Sequence, residues 1–510
     1  REDIIGSPLE QIKEVLKNRQ FQALTAFFAV GTVAECCCAG FYNIFLLKNM
    51  NFSMLNFQIL TIFGSLAGIA GAFFFRIIGS KYGNKSVLAL CVSMKVVEFL
   101  LCAFLWIPGG GFLDKYCHGV LQAIAGTMGL TMPQMDPGFY MVLPAFLVAG
   151  FFNTGRLASL MAMLTSSGQA ANYYAVFNIC EAGDHVIMSS TVYGGTFNLL
   201  TVTMKKMGIE CTVVDPDSSY EELSKAFQDN TKCVLAETIA NPALVVLDIE
   251  KFAKVAHDHQ VPLIIDNTFA TPINCCPFEW GADIVTHSTT KYMDGHAMAV
   301  GGAIVDSGNF DWSKYPDKFP GLCKPDESYH GVTYVEKFGK GAYITKATVQ
   351  LMRDLGSIQS PQNAFLLNVG LETLPLRMER HCYNAQKVAE FLEAHEKVAW
   401  VNYPGLKGNK YYDLAQKYMP KGTCGVISFG LKGGRSAAEV MMDKLSLAAI
   451  VTHVADARTC VLHPASHTHR QMTDEQLVEA GVAPDLIRFS VGIENVNDII
   501  ADLEQALQHV

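Results

Sequence analysis

Residues 57–75 form a run of nineteen positions without a charge, rich in Gly, Ala, Ile, Leu and Phe. As a helix rising about 1.5 Å per residue, such a run approaches the roughly 30 Å of a bilayer's hydrocarbon core. No other feature of the chain restricts its fold as severely. Three further runs accompany it: residues 21–47, broken only by Glu35; residues 87–107, apolar except for Lys95 and Glu98; and residues 139–164, shortened in usable length by Arg156. Lys95 and Glu98 stand three apart and can pair on one helix face. Four such runs in so short a stretch are hard to bury in a soluble core. The pattern therefore predicts about four transmembrane-like helices over residues 1–160. Lys13, Lys17 and Arg19 precede the first run, and Arg76, Lys81 and Lys85 separate the second from the third. The positive-inside rule puts the amino terminus and the 76–85 loop in the cytoplasm. Four spans return the chain to that side near residue 160.

The hydropathy changes at about Thr165. Overall contents of 50% hydrophobic and 17% charged residues conceal an ordinary globular mixture beyond that point. The formal net charge is −9, with no basic tail, so no nucleic-acid partner is expected. The 15 cysteines are scattered or adjacent, as in Cys36-Cys37-Cys38 and Cys275-Cys276, with no Cys-x-x-Cys pair. That argues against a metal centre or a disulfide framework and for a reducing compartment. The polar amino terminus and the length of the first apolar run argue against a cleaved signal peptide.

Beyond Thr165, Ser167 suits a helix N-cap, Gly168 lets the backbone approach a ligand, and Gln169-Ala170-Ala171 continue a helix whose exposed N–H groups could hold a phosphate. Residues 183–188, 211–215, 233–237 and 262–266 are β-rich runs separated by helical patterns, which predicts a parallel, doubly wound sheet. Ligands of such sheets sit at the carboxyl ends of strands, where Glu237, Asn241 and Asp266 fall. A further apolar run, 282–286, delivers His287-Ser288-Thr289-Thr290-Lys291-Tyr292. An aldehyde–pyridine cofactor needs an amine for an imine, an acid for the ring nitrogen and donors for its phosphate. Lys291, Asp266 and the group Gly168, Ser288 and Thr290 match those needs in type, and Tyr193 offers a ring to stack.

These motifs occur in the order Ser167-Gly168-Gln169-Ala170-Ala171, Tyr193-Gly194-Gly195-Thr196, Asn241-Pro242, Asp266-Asn267-Thr268-Phe269, Ser288-Thr289-Thr290-Lys291-Tyr292, Gly370-Leu371-Glu372-Thr373-Leu374, His463-Pro464-Ala465-Ser466 and Ile487-Arg488-Phe489-Ser490-Val491-Gly492. Residues 161–510 thereby resemble the cystathionine γ-synthase-like family of trans-sulfuration enzymes. The insertion from Asn309 to Gly331 resembles the O-acetylhomoserine sulfhydrylase branch. The resemblance implies an α/β chain of pyridoxal phosphate fold type I, aspartate aminotransferase-like. It implies a parallel-sheet large domain at 161–370 and a small α/β domain at 371–510. It implies that Lys291 carries the imine, that Asp266 pairs with the pyridine nitrogen, and that Tyr193 stacks on the ring and assists proton transfer. Asn241 would hydrogen-bond the ring oxygen. Gly168 and Gln169 backbone with the Ser288 and Thr290 hydroxyls would hold the phosphate. Arg488 would bind the substrate carboxylate, with Thr459 contacting it. The implied substrates are O-acetylhomoserine and sulfide or a thiol, in a cytoplasmic homodimer or homotetramer.

The first 160 residues resemble part of a major facilitator superfamily transporter. The carriers are Phe75-Arg76-Ile77-Ile78-Gly79-Ser80-Lys81-Tyr82-Gly83-Asn84-Lys85 and Gly150-Phe151-Phe152-Asn153-Thr154-Gly155-Arg156-Leu157-Ala158-Ser159. That family's loop carries an aspartate where this chain has Ser80 or Lys81. Four spans are about a third of such a transporter and cannot build both walls of a substrate path. Membrane association through residues 21–160 is expected, transport is not. The enzyme family also places a Tyr-x-Arg arm ahead of Ser167, which grips a neighbouring subunit's cofactor phosphate. The membrane-like segment stands there instead, so the junction near residues 160–164 resembles a fusion, and weak cofactor binding or failed dimerisation is expected.

Overall fold

The computed structural model describes residues 162–467 and 483–510. The predicted spans lie outside the described residues except for residues 162–164, the expected end of the fourth, which form a strand paired into a sheet instead; Glu35, the Lys95–Glu98 pair and the 76–85 loop also lie outside them. Among the described residues no helix is long and apolar enough to cross a membrane.

Seven strands form the first sheet: β1 (Ala162–Thr165), β2 (His185–Ser189), β3 (Glu210–Val214), β4 (Thr231–Glu237), β5 (Leu263–Asp266), β6 (Ile284–His287) and β7 (Gly302–Asp306), in the order β1-β7-β6-β5-β4-β2-β3. The five strands from β3 to β6 are mutually parallel. β7 runs antiparallel to both β6 and β1, so the sheet is mixed rather than parallel throughout. The reason is the connection. A parallel return needs a crossover, usually a helix, whereas the chain leaves β6 through a loop and turns straight back. That loop holds Lys291.

The sheet is buried on both faces, as parallel strands require. Alternate residues enter separate cores: Val234, Ala236, Ile265 and Val285 pack into one, and Cys233, Leu235, Ile264 and Ile284 into the other. This is the period-two alternation of side chains along a strand. Helix α1 (Gly168–Phe177) covers one face. Its N-cap is Ser167, whose side chain accepts from the Ala170 N–H at 3.1 Å. Helix α2 (Ile249–Asp258) covers the other, burying Ile249, Phe252, Ala253, Val255 and Ala256 behind an Asp248 cap.

Helix α3 (Pro361–Ala394) is 34 residues long and starts with Pro361 behind a Ser360 cap. Residue 370, the expected domain boundary, lies inside it. A second sheet follows, in the order β10-β11-β12-β9-β8: β8 (Val398–Asn402), β9 (Val426–Leu431), β10 (Ala449–Ile450), β11 (Cys460–Leu462) and β12 (Ile487–Ser490). Tyr292, Leu374, Phe429 and Phe489 share one apolar core, which joins this sheet to the first.

Candidate active site

β4, β5 and β6 end together at Glu237, Asp266 and His287, as their parallel registers require. All three end residues therefore lie along one edge of the sheet, the position that favours ligands in α/β folds.

Asp266 is buried, and its carboxylate is heavily hydrogen-bonded. Oδ2 accepts from Asn172 Nδ2 at 3.0 Å, and Oδ1 accepts from the Thr268 N–H and hydroxyl. Burial raises its proton affinity, and the Thr268 and Asn172 donors oppose that. Asn172 is oriented in turn: its Oδ1 accepts from Thr286 Oγ1 at 2.6 Å, and Nδ2 also reaches Thr196 Oγ1 at 3.2 Å. Thr196 donates to Gln169 Oε1 at 3.1 Å. Glu237 stands across the β4–β5 register from Asp266. Burial and the Asp266 charge push it far above the usual carboxylate range. Burial thus raises the proton affinity of both acids, and Glu237 carries the larger shift.

The start of α1 is pressed against the lysine loop. A Cβ on Gly168 would lie 2.5 Å from Ser288 Cβ and 2.8 Å from its Cα. Gly168→Ala is expected to cost about 1–3 kcal/mol by overpacking and to weaken cofactor binding; melting curves and cofactor titration check both. Ser288 donates its N–H to Thr268 Oγ1 at 2.8 Å, which ties the loop to the Asp266 turn. Thr290 closes the loop's neck: its hydroxyl donates to Gly301 O at 3.2 Å and accepts from the Gly301 N–H at 3.1 Å. Beyond Lys291, Arg377 on α3 clamps the chain by donating to Tyr292 O, Met293 O and Gly370 O. Gly295, at φ +72°, sits where a Cβ would strike that guanidinium at 2.1 Å. The buried Tyr292 hydroxyl accepts from the Gly425 N–H at 2.9 Å, which joins the loop to the second sheet.

Lys291 is held to a proton affinity of about 8, by burial first and by the nearby Arg488 charge second. A lysine free in water titrates at about 10.4. Between those values the unfolded chain binds more protons than the folded one, so folding is favoured as pH rises through this window. The neutral amine is the nucleophile. Cofactor capture is therefore expected to accelerate as pH rises toward about 8 and then level off, as stopped-flow absorbance would show.

Arg488, on β12, is 9% exposed. Its guanidinium donates to Thr452 O at 2.9 Å and His453 O at 3.3 Å, and reaches Asn241 Oδ1 at 3.5 Å. No carboxylate pairs with it among the described residues. A buried cation whose partners are neutral oxygens is suited to pair with an anionic ligand. Asn241 is presented by a cis Asn241–Pro242 peptide. Tyr193 caps the short helix Gly194–Asn198, is half exposed, and donates its N–H to Glu237 Oε1 at 2.7 Å.

Thr459 is placed differently from the others. It is fully buried, its hydroxyl donates to Glu494 Oε2 at 2.9 Å and accepts from the Gly492 N–H, and its N–H donates to Glu494 Oε1. Its polar atoms are thus engaged with the β12 turn. Sequence reasoning missed Asn172, Thr196, Thr268, Thr286 and Arg377. Only Thr268, two residues after Asp266 and able to form an Asx-type turn, carried a local signal.

The family description "Cys/Met metabolism PLP-dependent enzyme" matches residues 157–508. The chain belongs to this family. O-acetyl-L-homoserine sulfhydrylase of Leptospira meyeri is 47% identical over 68% of this chain and 80% of its own length. Homocysteine/cysteine synthase of Kluyveromyces lactis is 45% identical over 70% and 83%. A Campylobacter jejuni crystal structure, described as an O-acetylhomoserine (thiol)-lyase with N′-pyridoxyl-lysine-5′-monophosphate, superposes with a TM-score of 0.65 at 39% identity, covering 68% of this chain and 82% of that one. A second description, "MFS/sugar transport protein", matches residues 3–175.

The family's cofactor is pyridoxal phosphate, and the residues present fit it. Lys291 offers an amine of lowered proton affinity, Asp266 a buried carboxyl group that accepts from three donors, and Gly168 a helix start with no side chain in the way.

Proposed function

We propose that this chain carries out γ-replacement: O-acetylhomoserine and sulfide, or a thiol, give homocysteine, or methionine, and acetate. The relatives named above support the substrate class. The observation that carries it is Arg488, buried beside Lys291 with no carboxylate partner among the described residues. An amino-acid carboxylate completes that site.

When bound, pyridoxal phosphate supplies an electron sink that acidifies the substrate's Cα and Cβ hydrogens. Asp266 would keep the ring nitrogen protonated, Tyr193 would stack on the ring, and Asn241 would meet the ring oxygen. Gly168, Gln169, Ser288 and Thr290 would hold the phosphate. Arg488 fixes the substrate carboxylate, with Thr459 bracing the turn beside it through Glu494. With the carboxylate fixed, the Lys291 amine takes the Cα proton and helps remove one from Cβ, which lets acetate leave from Cγ. Sulfur then bonds to Cγ.

The same reading assigns residues 1–160 to a membrane-like segment, 161–370 to the cofactor domain and 371–510 to the small domain. It also takes the enzyme part as cytoplasmic and homo-oligomeric. Met298, Ile358, Phe365 and Leu376 are each more than 60% exposed, an apolar display that a second copy would cover. The match over residues 3–175 favours a second reading, in which a transporter piece carries an inactive passenger. Homocysteine formation from O-acetylhomoserine and sulfide by the purified chain decides between them. No product from cofactor-saturated protein would reject the first.

A further inference from the structure

The loop between β10 and β11 does more than present two carbonyls to Arg488. It is fixed on three sides. Ala455 N–H donates to Ser490 Oγ at 2.9 Å, Ala457 N–H donates to Gly295 O at 2.9 Å, and Cys460 Sγ donates to His453 O at 3.4 Å. The Gly295 contact binds this loop to the segment that follows Lys291. The backbone of His453 is therefore held in place, yet its ring nitrogen Nε2 is buried without a hydrogen-bond partner among the described residues. Buried polar atoms are nearly always satisfied, so an orphan of this kind points to a partner that arrives with the substrate.

The charged groups that face the imidazole are Lys291, Arg488, Arg458 and Asp456. Burial is the largest influence and lowers its proton affinity. The three cations lower it further, and Asp456 opposes them. His453 is thus a neutral base at neutral pH, within electrostatic reach of the amine that handles the substrate's protons. The mechanism so far gives it nothing to do. The reaction does need a further base, because a thiol reaches the site with its proton on.

We propose that His453 takes the proton from the incoming sulfur nucleophile. This rests on the γ-replacement reading. The S–H bond breaks and its proton passes to Nε2. The freed sulfur pair forms the bond to the substrate's Cγ. The electron pair displaced from the substrate's Cβ–Cγ double bond is taken up by the proton that Lys291 returns to Cβ. Nothing is oxidised or reduced, and Nε2 releases its proton to solvent.

The test uses the full chain loaded with pyridoxal phosphate and O-acetylhomoserine, with methanethiol or hydrosulfide as nucleophile at mildly alkaline pH. Hydrosulfide is already an anion there and needs a base less. In His453→Gln and His453→Asn, kcat/KM for methanethiol is expected to fall about 10²-fold, the usual worth of a positioned base, and to fall further than kcat/KM for hydrosulfide. The wild-type methanethiol profile should decline toward acid pH, and this limb should be lost in His453→Gln. Separately, the His453 imidazole in the cofactor-free chain should titrate below free histidine by NMR and move up in Arg488→Met. An unchanged ratio of the two nucleophiles, or an ordinary histidine titration, overturns the proposal. Wild-type protein that forms neither product rejects the γ-replacement reading, and this inference with it. That failure is distinguishable because it appears before any substitution is made.

Discussion

Lys291→Ala is expected to abolish turnover, by at least about 10³-fold, which is roughly 4 kcal/mol of barrier. It should also remove the visible absorbance that cofactor gives when bonded to the protein. The loss should not come from unfolding. The folded chain holds Lys291 at a proton affinity of about 8, so its charged form is disfavoured there. Removing it should leave the protein as stable as before or more so, by at most about 3 kcal/mol at neutral pH, since each tenfold of proton affinity is about 1.4 kcal/mol. A lower melting temperature together with lost activity would mean that Lys291 holds the loop instead. The contacts speak against that: Ser288, Thr290 and Tyr292 anchor the loop through Thr268, Gly301 and Gly425. A wild-type absorbance spectrum in Lys291→Ala would contradict the assignment outright.

Arg488→Met is the second large effect. A guanidinium that pairs with a carboxylate out of water is worth about 2–5 kcal/mol when truncated. The KM for O-acetylhomoserine is accordingly expected to rise about 10²-fold or more, with a smaller change in kcat. Arg488→Lys should recover little of it, because an ammonium cannot offer the paired donors of the guanidinium fork. The free protein should again not suffer. Arg488 is buried with only neutral oxygens for partners among the described residues, and burial holds its proton affinity below the usual value. If Arg488→Met melts lower and leaves KM unchanged, the arginine serves to tie β12 to the β10–β11 loop and does not bind substrate. Differential scanning fluorimetry beside steady-state kinetics separates the two.

Both predictions begin from residues that the sequence marked. The type and order of Gly168, Asp266 and Lys291 were legible because local rules set them: a capped helix start, a strand end and a lysine between hydroxyls; Arg488 was marked only by the family resemblance of residues 487–492. The strands from β2 to β6 were legible for the same reason. Apolar runs bounded by turn residues must become buried strands, and strands alternating with helices pair in parallel. The direction of β7 was not legible, since nothing in residues 302–306 tells whether the chain leaves β6 by a crossover or by a direct return.

The remainder was decided by contacts across long sequence separations. Asn172 reaches Asp266 over 94 positions and accepts from Thr286 over 114, so no window of sequence shows that one amide orients the acid. The electrostatic state of Lys291 depends on its burial first and then on Arg488, which a separate sheet supplies. Thr459 fell near the expected place in the chain, but the fold engages its hydroxyl with Glu494 and Gly492. By itself, then, the sequence determined which chemical groups this protein carries and on which elements, because propensity, capping and periodicity act over a few residues. Only the tertiary structure decided which acids are buried side by side, which amine has its proton affinity lowered and which buried cation has no carboxylate partner among the described residues. Burial and pairing are properties of the packed molecule, and they set the free energy of each charge.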